Sequence, residues 1–286
     1  RAETRELTDA GGSGLGGNGG TVQDVFDESQ PDVIFGYDAP IEDSALNPDS
    51  ACGTSKYEAT LTPLDMHIRF LKEARPGAPL SMHGAVISFG ESQATLCLDM
   101  RHGDGAPASV FTIRVAHTDT QGFRAFPWST RTKAAAAKLT APLPQHAAPR
   151  SLDPGIAPSA EASLARAREI GATRIGAAMV LREQCDAFGR LRGEQFIGRV
   201  SDSVPNLLAG WRQDAAATQN IEPAGAVVEA RIVFRRWPQP GALLEMHTGM
   251  AAVGDKTFRL VHWICDPETG AAWASMEAVA LTFDVK

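Results

Sequence analysis

The stretch Arg75-Pro76-Gly77-Ala78-Pro79-Leu80-Ser81-Met82-His83 returns 164 positions later (83 to 247) as Gln239-Pro240-Gly241-Ala242-Leu243-Leu244-Glu245-Met246-His247. At the same offset Ile68 meets Ile232, Phe70 meets Phe234, Gly90 meets Gly254 and Leu96 meets Leu260; one residue more brings Asp119 onto Asp284. Upstream, Ser29-Gln30-Pro31-Asp32 and Gly36-Tyr37 meet Ser203-Val204-Pro205-Asn206 and Gly210-Trp211 at an offset of 174 (29 to 203). The first copy therefore carries about ten extra residues, in the loop around Asn47-Pro48-Asp49-Ser50, an ordered series that signals an internal duplication. The expected organisation is a first unit over 1–130, an Ala/Pro-rich linker with short helices over 131–170, and a second unit over 171–286.

Each copy reads alike. A short strand (Glu3 to Thr8; Ala177 to Glu183) precedes a glycine-bearing turn and then a helical segment (Val22 to Gly36; Gln195 to Ala217). That segment has apolar residues at helical spacing, such as Val22, Val25 and Phe26, or Phe196, Val200 and Leu207. Pro31 and Pro205 inside these segments predict a kink or restart. Long alternating runs follow: Leu64 to Leu71, Leu80 to Phe89, Gln93 to Arg101 and Ala108 to His117 in copy one. In copy two they are Val227 to Arg236, Leu243 to Val253, Lys256 to Cys265 and Ala271 to Asp284. Turns such as Gly254-Asp255 and Asp266-Pro267-Glu268-Thr269-Gly270 divide them, which is hairpin chemistry. One helix against an antiparallel meander is an α+β layer pattern. Between the copies, Lys133 to Leu139 and Ser163 to Ile170 read as short helices, with a Pro-rich connector from Pro142 to Pro158.

Composition narrows the function. The net charge of −7 and the lack of a basic stripe argue against nucleic acid. No run approaches the ~20 apolar residues that span a membrane, and the charged opening Arg1-Ala2-Glu3-Thr4-Arg5-Glu6 is not that of a signal peptide. Cys52, Cys97, Cys185 and Cys265 are isolated, as free thiols are in a reducing cytoplasm. The seven histidines are scattered, so neither a metal nor another cofactor is expected.

The best local motif is Cys185-Asp186-Ala187-Phe188-Gly189-Arg190-Leu191-Arg192, followed by Phe196 and Val200. It resembles the 4-hydroxybenzoyl-CoA thioesterase family, whose D-x-x-G-H-x-N-x-x-x-Y-x-x-x-F ends the first strand and opens the helix. Asp186, Gly189, Phe196 (for Tyr) and Val200 (for Phe) keep that spacing; Arg190 and Arg192 replace the His and Asn. Phe234 to Gly241 resembles the family's strand-ending segment before its turn. In the first copy, Asp9 corresponds to Asp186 if about three residues are inserted. Gly17-Asn18-Gly19-Gly20 is similar to the phenylacetyl-CoA thioesterase branch, which places G-H-G-G before the helix and an acidic residue eight positions after the first Gly following the His. Counting from Gly19 lands on Asp27, with Asn18 in place of the His. The resemblance covers nearly the whole chain. It implies a tandem, or double, hot-dog fold: two antiparallel sheets, each wrapped around a long helix.

Thioester hydrolysis needs a base or nucleophile near the carbonyl and donors for the developing oxyanion. A glycine turn running into a helix offers unpaired N–H groups and the positive end of the helix dipole. Asp186 and Asp27 are the candidate catalytic carboxylates, and Gly189, Gly19 and Gly20 the backbone donors. Asn18, Arg190, Arg192 and Phe196 are the candidate substrate contacts, the two arginines toward coenzyme A phosphates. Each has a plainer role beside it: Asp186 a helix cap, Asp27 part of an acidic solvated helix start, the arginines a solvated pair. No Gly-x-Ser-x-Gly elbow supports a serine hydrolase. The resemblance implies hydrolysis of an acyl-CoA, or of an acyl carrier protein thioester, to free acid and thiol. The alternative is a degenerate module that binds acyl thioesters or a partner protein without turnover. Since one chain supplies the pair that a homodimer would supply, further homo-oligomerisation concerns the doubled unit.

Overall fold

The computed structural model describes residues 59–119, 124–156, 161–219 and 223–284. The first-copy segments read as a strand (Glu3 to Thr8) and a helix (Val22 to Gly36) lie outside them.

In the first half, β1 (Ala59–Phe70), β2 (Leu80–Phe89), β3 (Gln93–His102) and β4 (Pro107–Asp119) are followed by the helix α1 (Thr130–Lys138). The second half begins with the short helix α2 (Leu164–Glu169) and strand β5 (Thr173–Met179), and continues through α3 (Gly193–Gln219) to β6 (Pro223–Phe234), β7 (Leu243–Val253), β8 (Thr257–Cys265) and β9 (Ala272–Asp284). The nine strands of the described residues form one antiparallel sheet in the order β2-β3-β4-β1-β6-β9-β8-β7-β5. The two sheets of a tandem arrangement, expected to join edge to edge, are thus one continuous sheet: β1 and β6, each of which would leave a row of unpaired N–H and C=O groups at an edge, pair with each other over Asp65–Arg69 and Glu229–Val233.

The register of this seam follows the repeat. His67 stands opposite Arg231, its equivalent at the 164-residue offset. On either side, Asp65 faces Val233 and Arg69 faces Glu229, and the offset exchanges one pair for the other. The strand order is mirrored about the same point, β4, β3 and β2 on one side answering β9, β8 and β7 on the other.

Strand alternation divides the side chains between two faces. Met66, Ile68, Ala230, Ile232, Phe234, Ala274, Met276 and Ala278 turn to the side of α3 and pack on Phe196 and Val200. Helix α3 is 27 residues long and runs on through Pro205, where a kink or restart was expected. A proline there removes one intrahelical hydrogen bond, but the neighbouring turns are held by the sheet: Ser203 is buried, and Asn206 Nδ2 donates to the Ile175 carbonyl at 2.8 Å. On the first half, α1 and Trp128 close over Val86, Leu96 and Val115.

The opposite face carries Asp65, His67, Glu229 and Arg231, and the connector lies across it as a strap. Leu143 and Ala147 pack on Cys97 and Val110. The amides of Arg150 and Ser151 donate to Glu229, and the Arg231 guanidinium donates to the carbonyls of Asp153, Pro154 and Ile156. The strap ends where Leu164 of α2 packs on Cys265 and Ala272; the Ser163 side chain caps α2 by accepting from Arg166 N.

Candidate active site

The segment before α3 closes on itself. The Asp186 amide donates to the Arg190 carbonyl at 2.8 Å and the Gly189 amide to the Asp186 carbonyl at 3.0 Å. Gly189 sits at φ 75°, where a side chain would be strained. Cys185 bridges to Leu191, whose amide donates to the Pro238 carbonyl, so the loop is anchored beside the end of β6.

Within this turn Asp186 Oδ1 accepts the amides of Phe188 and Arg190, both at 2.9 Å. Its Oδ2 accepts Arg190 Nε at 2.9 Å and lies 2.8 Å from Nη2. Each oxygen therefore carries two donors. Arg190 is itself 7% exposed, and its guanidinium continues past Asp186 to β1, where Nη1 donates to Thr62 Oγ1 at 3.2 Å and Nη2 to Thr60 Oγ1 at 3.4 Å. Thr62 is held in turn by Thr118 Oγ1 at 2.7 Å. The rings of Phe188 and Trp237 lie 5.3 and 5.8 Å from the guanidinium carbon, within cation–π range.

A surface pocket of about 280 Å³ opens at the loop, lined by Arg182, Cys185, Asp186, Phe188, Gly189 and Gln239 among others. The Cys185 thiol in it is pushed up by burial and by the neighbouring Asp186 charge, which outweigh Arg192 and Arg182. It is a neutral thiol at neutral pH, not a thiolate nucleophile.

The structure thus brings Asp186, Gly189 and Arg190 together. The Gly189 amide is engaged by the turn. Arg190 turns inward to Asp186 and β1 rather than outward to solvent. Arg192 Nε donates to Glu194 at 2.7 Å. Phe196 is fully buried, edge-on to both Phe234 and Trp237. Asn18, Gly19, Gly20 and Asp27 lie outside the described residues. Thr60 and Thr62 were not singled out from sequence, because no local pattern marks a strand threonine as the partner of an arginine 128 or 130 positions away.

Residues 180–286, which begin just before this loop, match the family model of the thioesterase-like superfamily. Among solved structures, the chain is similar to the 12:0-ACP thioesterase from Umbellularia californica, with a TM-score of 0.61 and 10% identity over 81% of this chain and 78% of that one. It is also similar to a Lactobacillus plantarum protein assigned as an oleoyl thioesterase (TM-score 0.56, 10% identity, 79% and 77% covered). A third is an acyl-ACP thioesterase from Bacteroides thetaiotaomicron VPI-5482 (0.53, 9%, 78% and 76%). At these identities the likeness is one of fold, and it extends over both halves of the sheet. No curated protein matches the chain. Among the described residues no helix is long and apolar enough to cross a membrane.

Proposed function

We propose that this chain is a thioester hydrolase built as a tandem pair of hot-dog units, which splits an acyl thioester into free acid and thiol. The observation that carries the reading is the placement of Asp186. Asp186 is among the residues that line a pocket in the loop leading into the long helix α3, in the stretch that matches the thioesterase-like family. The tandem reading is supported by the mirrored strand order and by the pairing of the repeat-equivalent residues His67 and Arg231 at the seam.

In this reading the thioester carbonyl lies over the amino end of α3, where the helix dipole favours the developing oxyanion. Asp186 either takes a proton from a water that adds to the carbonyl carbon, and passes that proton to the sulfur as the carbon–sulfur bond breaks, or attacks the carbon itself to expel the thiolate and form a mixed anhydride, which water then hydrolyses to the free acid while its second proton goes to the thiolate. Arg182 at the pocket, with Arg192 nearby, suits the phosphates of a coenzyme A or carrier-protein arm. The first copy would contribute Asn18, Gly19, Gly20 and Asp27 to a second site, and we place the working one at Asp186.

One observation favours a second reading. Both Asp186 oxygens are already occupied by donors, as in a unit that binds an acyl thioester without turning it over. A panel of short, long and aromatic acyl thioesters, assayed by free-thiol release, separates the two. Turnover that disappears in Asp186→Asn supports the hydrolase; no release from any member of the panel would leave the binding module.

A further inference from the structure

We infer that Arg190 is the positioning residue of the Asp186 site, its guanidinium held in turn by Thr60 and Thr62 of β1. The inference rests on reading Asp186 as the reacting carboxylate. Arg190 is buried, and a buried cation persists only where it is paired and hydrogen-bonded. Its Nε and Nη2 fork onto one oxygen of Asp186, which fixes direction as well as charge. Its Nη1 and Nη2 are themselves fixed by Thr62 and Thr60 on β1. The carboxylate is therefore held through the guanidinium by a strand of the other half. Lysine, a point charge on a flexible stem, could supply the charge without the fork.

Arg182, Glu183 and Arg192 lie near Cys185 on the same loop. β1 presents the neutral Thr60 and Thr62, and the turn after β6 presents the neutral Trp237, Gln239 and Pro240. Arg190 is in direct contact with Asp186.

The test uses the full chain with carboxyl-labelled aspartate, following the Asp186 carboxyl resonance by NMR at neutral pH beside kcat and KM. In Arg190→Gln that resonance should move or broaden, and kcat should fall about tenfold or more with KM little changed, the mark of a misplaced reacting group. Arg190→Lys, which keeps the charge without the fork, should restore little of kcat. Should Arg190→Gln not fold, Thr62→Val, which leaves Arg190 in place but frees Nη1, should give a smaller loss in the same direction. Folded Arg190 and Thr62 variants with the wild-type Asp186 resonance and kcat would overturn the inference, as would a change confined to KM. A wild-type protein that releases no thiol sinks the hydrolase reading instead, while the resonance still decides whether Arg190 positions the carboxylate.

Discussion

His67 Nε2 lies 2.7 Å from Glu229 Oε1 across the seam of the sheet, with both side chains 2% exposed. The local two-fold of the seam carries this pair onto Arg231 and Asp65, which are 3.9 Å apart. Equivalent positions of the two copies have thus become two acid–base pairs, one close and one loose. The reason for the difference is the strap. Burial alone pushes the Glu229 carboxyl up, but the Arg150 amide, the His67 ring and the Ser151 and Leu152 amides together bring it below its ordinary value. Arg231 instead spends its donors on strap carbonyls.

Glu229→Ala should therefore destabilise the protein by about 3–5 kcal/mol, the usual loss when one member of a buried pair is removed and its partners are left unsatisfied. Urea unfolding measures it, and limited proteolysis should show earlier cleavage within 142–158. A variant as stable as wild type, with an equally resistant strap, would show that the strap is held by its apolar contacts alone.

His262 sets a pH dependence. It is 2% exposed on β8, bonded to Thr248 Oγ1 through Nδ1 at 2.8 Å, and burial lowers it from 6.5 to about 4. The unfolded ring takes up its proton at the higher value, so stability should fall as pH drops from about 6.5 to about 4 and level off below. The gap corresponds to about 3 kcal/mol at ~1.4 kcal/mol per pH unit. Urea midpoints from pH 7 to 4 in wild type and His262→Leu should diverge in slope over that window. Parallel curves would mean that the ring is protonated in the folded state.

Gly176 lies where α3 packs on β5: a Cβ there would run into Ser203 Oγ and stand 2.8 Å from Met246 Cε. Gly176→Ala should cost about 1–3 kcal/mol through overpacking, part of which Ser203→Gly in the same chain should return. Additive losses in the double variant would deny that these two positions share the space.

The choice between the two candidate sites is decided by Asp186→Asn against Asp27→Asn, with folding verified by circular dichroism. Asp186→Asn should lower kcat on an active thioester by about 10²-fold or more, the scale for losing a general base, while Asp27→Asn stays near wild type. The reverse pattern would move the working site to the first copy, and two harmless substitutions would end the carboxylate mechanism.

Local periodicity was enough for the long strands, whereas the short one read over Ala177 to Glu183 is β5 over Thr173–Met179. β2 and β7 run over Leu80–Phe89 and Leu243–Val253, the bounds read from alternation and turn residues, because a strand's two-residue period is written in its own side chains. The 164-residue offset likewise made His67 and Arg231 equivalent before their positions were known. Sequence alone also marked Asp186 and Gly189 as a turn opening a helix. What it could not supply were relations between residues that are neighbours only in space. That the edges that join are β1 and β6, paired in this register, that the connector is drawn over the seam by Glu229 and Arg231, and that Arg190 reaches Thr60 and Thr62 were decided by the tertiary structure. A charged side chain pairs with whatever packing brings within about 3 Å, and no spacing along the chain records that choice.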